Sequence, residues 1–170
     1  YDQYADRWIA TQFSLPNYPS GPFYELVAVS QTGDPTGSWY RYAYEFTNMP
    51  DYPKFGVWPD GYYFTVNQFA PPSLSFAGAA VCVLDRAAMI SGNSSAQMLF
   101  FNLGTAYGSL LPADVDGPVP PAGSPNYLAN LGANSLRIWK ATIDWLSPGN
   151  STVSLVQTLT TQSYSYSGIT

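Results

Sequence analysis

Histidine is absent from the 170 residues, and cysteine occurs once. Without an imidazole, Ser-His-Asp and Cys-His catalysis and most zinc sites lose their usual base or ligand. Cys82 alone can form no disulfide within the chain. Its setting in Val81-Cys82-Val83 reads as a strand interior, where a free thiol is buried and inert. Charge is also scarce: Asp, Glu, Lys and Arg make up 10% of the chain, against roughly 25% in ordinary soluble domains. Helix surfaces lean on those residues, so a helical bundle is hard to build and a β-rich fold is expected. The charge present runs acidic, with six Lys and Arg against eleven Asp and Glu and a pI near 4.2. That is the wrong sign for an affinity built on neutralising phosphates, which excludes ordinary nucleic-acid binding. The longest apolar run, residues 76–84, ends at Asp85. It is far short of the ~20 residues of a membrane helix, and no membrane insertion is expected. The chain opens at Tyr1 without methionine or the basic and apolar regions of a signal peptide, which reads as a processed product or an internal fragment.

What the chain has in abundance is aromatic: fourteen Tyr, nine Phe and five Trp, a content that disordered chains lack. Three turn signals, Gly37-Ser38, Gly92-Asn93 and Gly149-Asn150, recur at intervals of 55 and 57 residues. Each separates two apolar runs: 25–30 from 39–46, 79–84 from 97–103, and 136–145 from 152–159. A further strand candidate precedes each pair, at 8–13, 62–69 and, more weakly, 126–131. The unit is a small antiparallel sheet of about 55 residues, with units over 1–50, 51–109 and 126–160. Between the last two, residues 110–125 carry five prolines, too many missing N–H donors for a central strand, and read as a stiffened loop. Residues 161–170, rich in Ser and Tyr, read as a tail or linker.

Side chains alternate faces along a strand. Over 39–46, Tyr40, Tyr42, Tyr44 and Phe46 therefore share one face and Arg41 and Glu45 the other. Arg41 and Glu45 stand roughly 13 Å apart at 3.3 Å per residue, too far for a direct pair. A ring-covered face is built to pack on another sheet, as between the blades of a β-propeller. Trp58-Pro59-Asp60-Gly61 has Pro second and Gly fourth, matching a type I turn in a hairpin over 55–67. The fold expected is all-β: about three antiparallel blades of a propeller over 1–160. Rings of that kind have about four to eight blades, so this would be part of a larger one. The missing blades would come from the rest of a parent protein or from other copies of the chain.

Tyr1-Asp2-Gln3-Tyr4-Ala5-Asp6-Arg7-Trp8, Gly33-Asp34-Pro35-Thr36-Gly37-Ser38-Trp39-Tyr40 and Asp51-Tyr52-Pro53-Lys54-Phe55-Gly56-Val57-Trp58-Pro59-Asp60-Gly61 resemble the middle of a family of large secreted proteins. These are mostly bacterial, β-propeller-like and functionally uncharacterised. The resemblance continues through Leu111-Pro112-Ala113-Asp114-Val115-Asp116-Gly117 and Pro121-Ala122-Gly123-Ser124-Pro125-Asn126-Tyr127 to residues 139–152. It implies an internal piece of a longer chain and an extracellular or cell-surface location. It supplies no catalytic residues.

Several constellations invite chemistry. Glycosidases hold two carboxylates about 5 to 9.5 Å apart, and Asp51 and Asp60 flank the 55–67 hairpin among Tyr52, Trp58, Tyr62 and Tyr63, with Glu45 a third acid. Asp60 is also explained by its Pro-Asp-Gly turn. Asp114 and Asp116 suggest calcium, completed by loop carbonyls and Asn126. An EF-hand is excluded, because its third and last ligand positions hold Pro118 and Pro125. Arg7, Arg41 and Arg137 resemble the arginine cluster of sialidases, though the repeated Asp-box turns of that family are absent and Arg7 after Asp6 suggests an ion pair. Trp8, Trp39, Trp139 and Trp145 lie in strand candidates and read as core. Trp58 beside its turn reads as a surface ring that, with Tyr62, Tyr63 and Arg41, would hold a carbohydrate. Asn93 and Asn150 open glycosylation triplets at the repeated turn, which marks that turn as exposed. No set forms a complete reaction centre. The function expected is a non-catalytic extracellular scaffold or binding module without a cofactor, the alternative being a fragment of a carbohydrate-active enzyme.

Overall fold

The computed structural model describes residues 1–165. The fold is all-β, three antiparallel sheets with almost no helix. The first sheet is β1 (Ile9–Ser14), β2 (Phe23–Ser30) and β3 (Trp39–Phe46), in that order. The middle sheet is β4 (Met49–Trp58), β5 (Gly61–Ala70), β6 (Ser75–Leu84) and β7 (Met98–Gly104). The third is β8 (Leu111–Pro112), β9 (Asn126–Gly132), β10 (Ser135–Thr142) and β11 (Thr152–Thr160). Every sheet is a meander of sequence neighbours, which short connections favour.

Alternation along β5 and β6 explains how the sheets stack. Both strands are central in their sheet, and Gly61 to Val66 and Ala79 to Leu84 are buried throughout. Tyr62, Phe64 and Val66, with Ala80, Cys82 and Leu84, form one core with Phe23, Val27, Val29 and Phe46 of the first sheet. Tyr63, Ala79, Val81 and Val83 form the other with Leu128, Trp139 and Ala141 of the third sheet and Leu110 before it. The middle sheet is thus covered on both faces, and each outer sheet on one. The ring-bearing face expected of β3 is there: Tyr42, Tyr44 and Phe46 pack on the middle sheet, and the two hydroxyls donate to Met89 O and Ala96 O at 2.9 and 3.2 Å. Phe64 centres an aromatic cluster, stacked on Phe55 at 4.6 Å and edge-on to Phe46 at 6.3 Å. Cys82 is fully buried, and burial, with the nearby Glu25, pushes its thiol well above its usual range.

Four expectations about organisation need correction. The third sheet begins at Leu111, since Leu111 and Pro112 pair with Ala129 and Leu128. Pro112 is tolerated because β8 is an edge strand. Residues 161–164 are not a free linker: Thr161 N donates to Asn134 O at 2.9 Å, and the Tyr164 hydroxyl donates to the carbonyl of Gly132. Residues 166–170 of the expected tail lie outside the described residues. Trp8 is 41% exposed, its indole N–H bonded to Gly33 O, so it is no core residue; Trp139 is buried and Trp145 partly so.

The last correction concerns the repeated glycines. Each does lie in the connection between the last two strands of its sheet, yet the three backbones differ. Gly92 follows α1 (Arg86–Ile90), capped at its start by Asp85, with φ +73°. There Gly92 N donates to Met89 O and Asn93 N to Ala88 O, the left-handed helix ending that glycine permits. A Cβ at Gly92 would stand 2.4 Å from the Tyr40 ring, whereas one at Gly149 would meet open space. Gly92→Ala is therefore expected to destabilise the chain by about 1 kcal/mol or more. Gly149→Ala should stay within about 0.5 kcal/mol. Urea unfolding of both variants checks the difference.

Candidate functional site

The first sheet, the edge of the middle sheet and the proline-rich loop meet around the N-terminal segment. Asp2, fully buried, bridges to Arg7 by N–H···O bonds of 2.8 and 3.1 Å. Its carboxylate takes a bidentate grip from Arg86, Nε at 2.6 Å and Nη2 at 3.0 Å. Tyr62 donates to it at 2.9 Å, and the N–H groups of Tyr4 and Ala5 at 3.1 Å. Burial by itself would raise the Asp2 carboxyl, but the guanidinium, the Ala5 N–H and the Tyr62 hydroxyl outweigh it and hold the group below its ordinary value. Gln3 Nε2 reaches Val115 O and Gly117 O at 3.1 and 3.2 Å. The loop in turn lies along β4, with Val115 N on Val57 O at 3.2 Å and Val57 N on Asp114 Oδ1 at 2.7 Å. Gly56 permits this approach, since a Cβ there would meet Ala113 O at 2.6 Å. A cavity of about 130 Å³ at the junction is lined by Tyr1, Thr11, Phe55, Tyr62 and Asp114, among others.

Beside it lies a carboxyl that the sequence reading passed over. Glu25 is fully buried in β2; Oε1 accepts the Thr11 hydroxyl and Oε2 has no partner. Burial pushes its pKa up to about 7, against the lowering effect of the Thr11 bond. The signal was in the parity: Glu25 shares a face with Phe23, Val27 and Val29, the face committed to the core. The carboxyl can hold a proton near neutrality, but no second carboxylate or base stands with it.

The expected sites are scattered. Asp51 pairs with Asn67 near the start of β4 and Asp60 lies in the turn past its end, roughly 20 Å apart at 3.3 Å per residue. They do not form a glycosidase pair. Asp60 is raised by burial, partly offset by the Tyr63 hydroxyl at 3.0 Å, and its carbonyl accepts the Trp145 N–H at 2.6 Å. Glu45 and Arg41 lie exposed on the outer face of the first sheet, opposite Tyr24 and Ala28 on β2. Tyr62 and Tyr63 are fully buried on opposite faces of β5, so neither can meet a sugar. Trp58 is half-buried, its N–H bonded to Ser124 O at 2.9 Å, and packs on the second core rather than presenting a ring to solvent. Arg7 bonds the carbonyls of Ala5 and Asp6, Arg41 lies on the outer face of the first sheet and Arg137 covers the Tyr107 ring, so the three arginines do not cluster. Among the described residues the one ion pair is Arg86 with Asp2, not Arg7 with Asp6.

Nor is a calcium shell assembled at the loop. Asp114 caps the Val57 N–H, and Asn126 is spent on Ala113, its amide donating at 3.0 Å and accepting at 3.3 Å. Asp116 is exposed, and among the described residues no group of three or more His, Cys, Asp or Glu could hold a metal. Asn93 and Asn150 are exposed in their connections.

Among the described residues both outer faces are open. Across the first sheet run Ala10, Ala28 and Arg41, then Gln12, Leu26 and Ala43, enclosing a depression of about 570 Å³. Across the third run Leu111, Ala129, Ile138 and Gln157, then Leu131, Leu136 and Leu159. Comparison with protein-family models, curated proteins and solved structures finds no match to the chain.

Glu25 makes stability depend on pH. Its pKa is about 7 in the folded chain against an ordinary 4.5, so between those values the folded state holds the extra proton. Its stabilising effect is complete below pH 4.5 and is lost as pH rises through about 7, a loss of roughly 3 kcal/mol. Glu25→Gln should abolish this slope and leave the variant more stable than the parent above pH 7. Melting curves between pH 5 and pH 8 measure it.

Proposed function

We propose that the chain is a non-catalytic extracellular scaffold or binding module, three blades of a β-propeller whose remaining blades lie outside it, serving adhesion or assembly. The observation that carries the reading is the contrast between the middle sheet, covered on both faces, and the two outer sheets, each with a broad face bare. Sheets stacked face to face with short meanders inside them suit a propeller. An exposed apolar face of several strands suits a contact surface. The resemblance to secreted propeller-like proteins supports the extracellular location and the continuation of the array.

A second reading, a fragment of a carbohydrate-active enzyme, is favoured by one feature. Asp60 has a raised carboxyl beside Trp58, Tyr63 and Trp145, a setting that suits a general acid. Aryl glycosides and natural glycans distinguish the two. The scaffold reading expects no turnover of either and an electron-microscopy envelope with stacked blades around an axis. Turnover that falls by about 100-fold or more in Asp60→Asn would replace it with the enzyme.

A further inference from the structure

The two internal joints have the same polarity. In the first, Val27 and Val29 of β2 face Ala80, Cys82 and Leu84 of β6 across the core. In the second, Val81 and Val83 of β6 face Trp139 and Ala141 of β10. The strand entering the glycine-marked connection thus offers alternate residues forward to the next sheet and backward to the preceding one. At the matching forward positions of β10 stand Ile138 and Lys140, and at the matching backward positions of β2 stand Leu26 and Ala28. Those faces are the bare ones. One chain therefore carries both halves of a third joint of the kind it already makes twice.

The two halves are alike in being largely apolar and hollowed. The backward face of the first sheet sets the small residues Ala10, Ala28 and Ala43 around Leu26, with Gln12 and Arg41 in the same rows, and is hollowed by about 570 Å³. The forward face of the third sheet carries Leu131, 53% exposed and aligned with Leu136 and Leu159 beside Ile138, and has a hollow of about 550 Å³ that Leu111, Ala129, Leu131 and Leu136 help to line. Lys140 is the one charge in the paired rows of the third face; the first face carries Glu45, an acid able to meet it, and, four residues away on the same strand, Arg41, a like charge.

Resting on the scaffold reading above, we propose that the forward face of the third sheet docks on the backward face of the first sheet of a second copy, a head-to-tail joint. Such a heterologous contact closes into a ring when its rotation permits and otherwise extends. It differs from a two-fold dimer, in which one patch meets itself.

Sedimentation velocity of the full chain over roughly 1 to 100 µM tests this range of weak to moderate association. The parent should associate. Leu131→Glu and Ala43→Glu change exposed residues of the third and first faces respectively. Each variant alone should associate at least ten-fold more weakly than the parent, with an unchanged melting temperature as the folding control. Mixed in equal amounts they should form a dimer, because the Ala43→Glu chain keeps an intact third face and the Leu131→Glu chain an intact first face. A parent that stays monomeric overturns the proposal. So does either variant that associates as the parent does, the mark of a self-pairing face, or a mixture that yields no dimer. None of these outcomes bears on glycoside turnover, so the scaffold reading stands or falls separately.

Discussion

A sheet buried on both faces is the constraint from which the rest of this structure follows. β5 and β6 cannot afford a polar face, so both of their alternating rows are apolar and each row is committed to a different core. Burying a large apolar side chain contributes about 1.5 to 3 kcal/mol, and these strands supply both cores at once. The polar atoms that remain must then be matched inside. Tyr62 and Tyr63 send their hydroxyls to Asp2 and Asp60, and Gln68 joins Asn48 to Asn102 at 3.3 and 3.1 Å.

The same burial explains the character of the junction. A buried ion pair recovers its desolvation only with good geometry and further hydrogen bonds. Asp2 has both, with Arg86 gripping two oxygens and three further donors completing the shell. The pair ties the N-terminal segment to the start of α1 and so holds the first sheet on the middle one. Glu25 is the counter-case in the same interface: half satisfied, it keeps its proton up to about pH 7, where Asp2 is charged. The two carboxyls give the joint opposite responses to pH, Asp2 weakening it toward acid and Glu25 toward base.

The paucity of charge and the absence of histidine have a structural counterpart. The layers pack through apolar and aromatic side chains, and the rings of Phe46, Phe55 and Phe64 fill the space between the first two. Several of the few acids hold backbone or turns: Asp114 at β4, Asp85 at α1, Asp144 on the N–H groups of Leu146 and Ser147 at 2.9 Å.

Alternation and turn residues sufficed to place most of the strands, though not β8 or the start of β4, and the two-residue Pro59-Asp60 turn, because these are governed by contacts within a few residues. The ring face of β3, the buried Cys82 and the all-β class were legible for that reason, and Glu25 would have been by the same parity. The equivalence of the glycine-marked connections was legible only in position. Whether such a glycine needs a positive φ depends on what precedes it, and only Gly92 follows a helix. What the sequence could not decide was every relation between sheets. Asp2 and Arg86 are 84 residues apart, Asp51 and Asp60 are divided by most of the length of β4, and Tyr62 and Tyr63 are buried only because two other sheets cover them. Local propensity sets which way a side chain points along its own strand. Only the stacking of the layers decides whether water, a partner or another core lies in that direction.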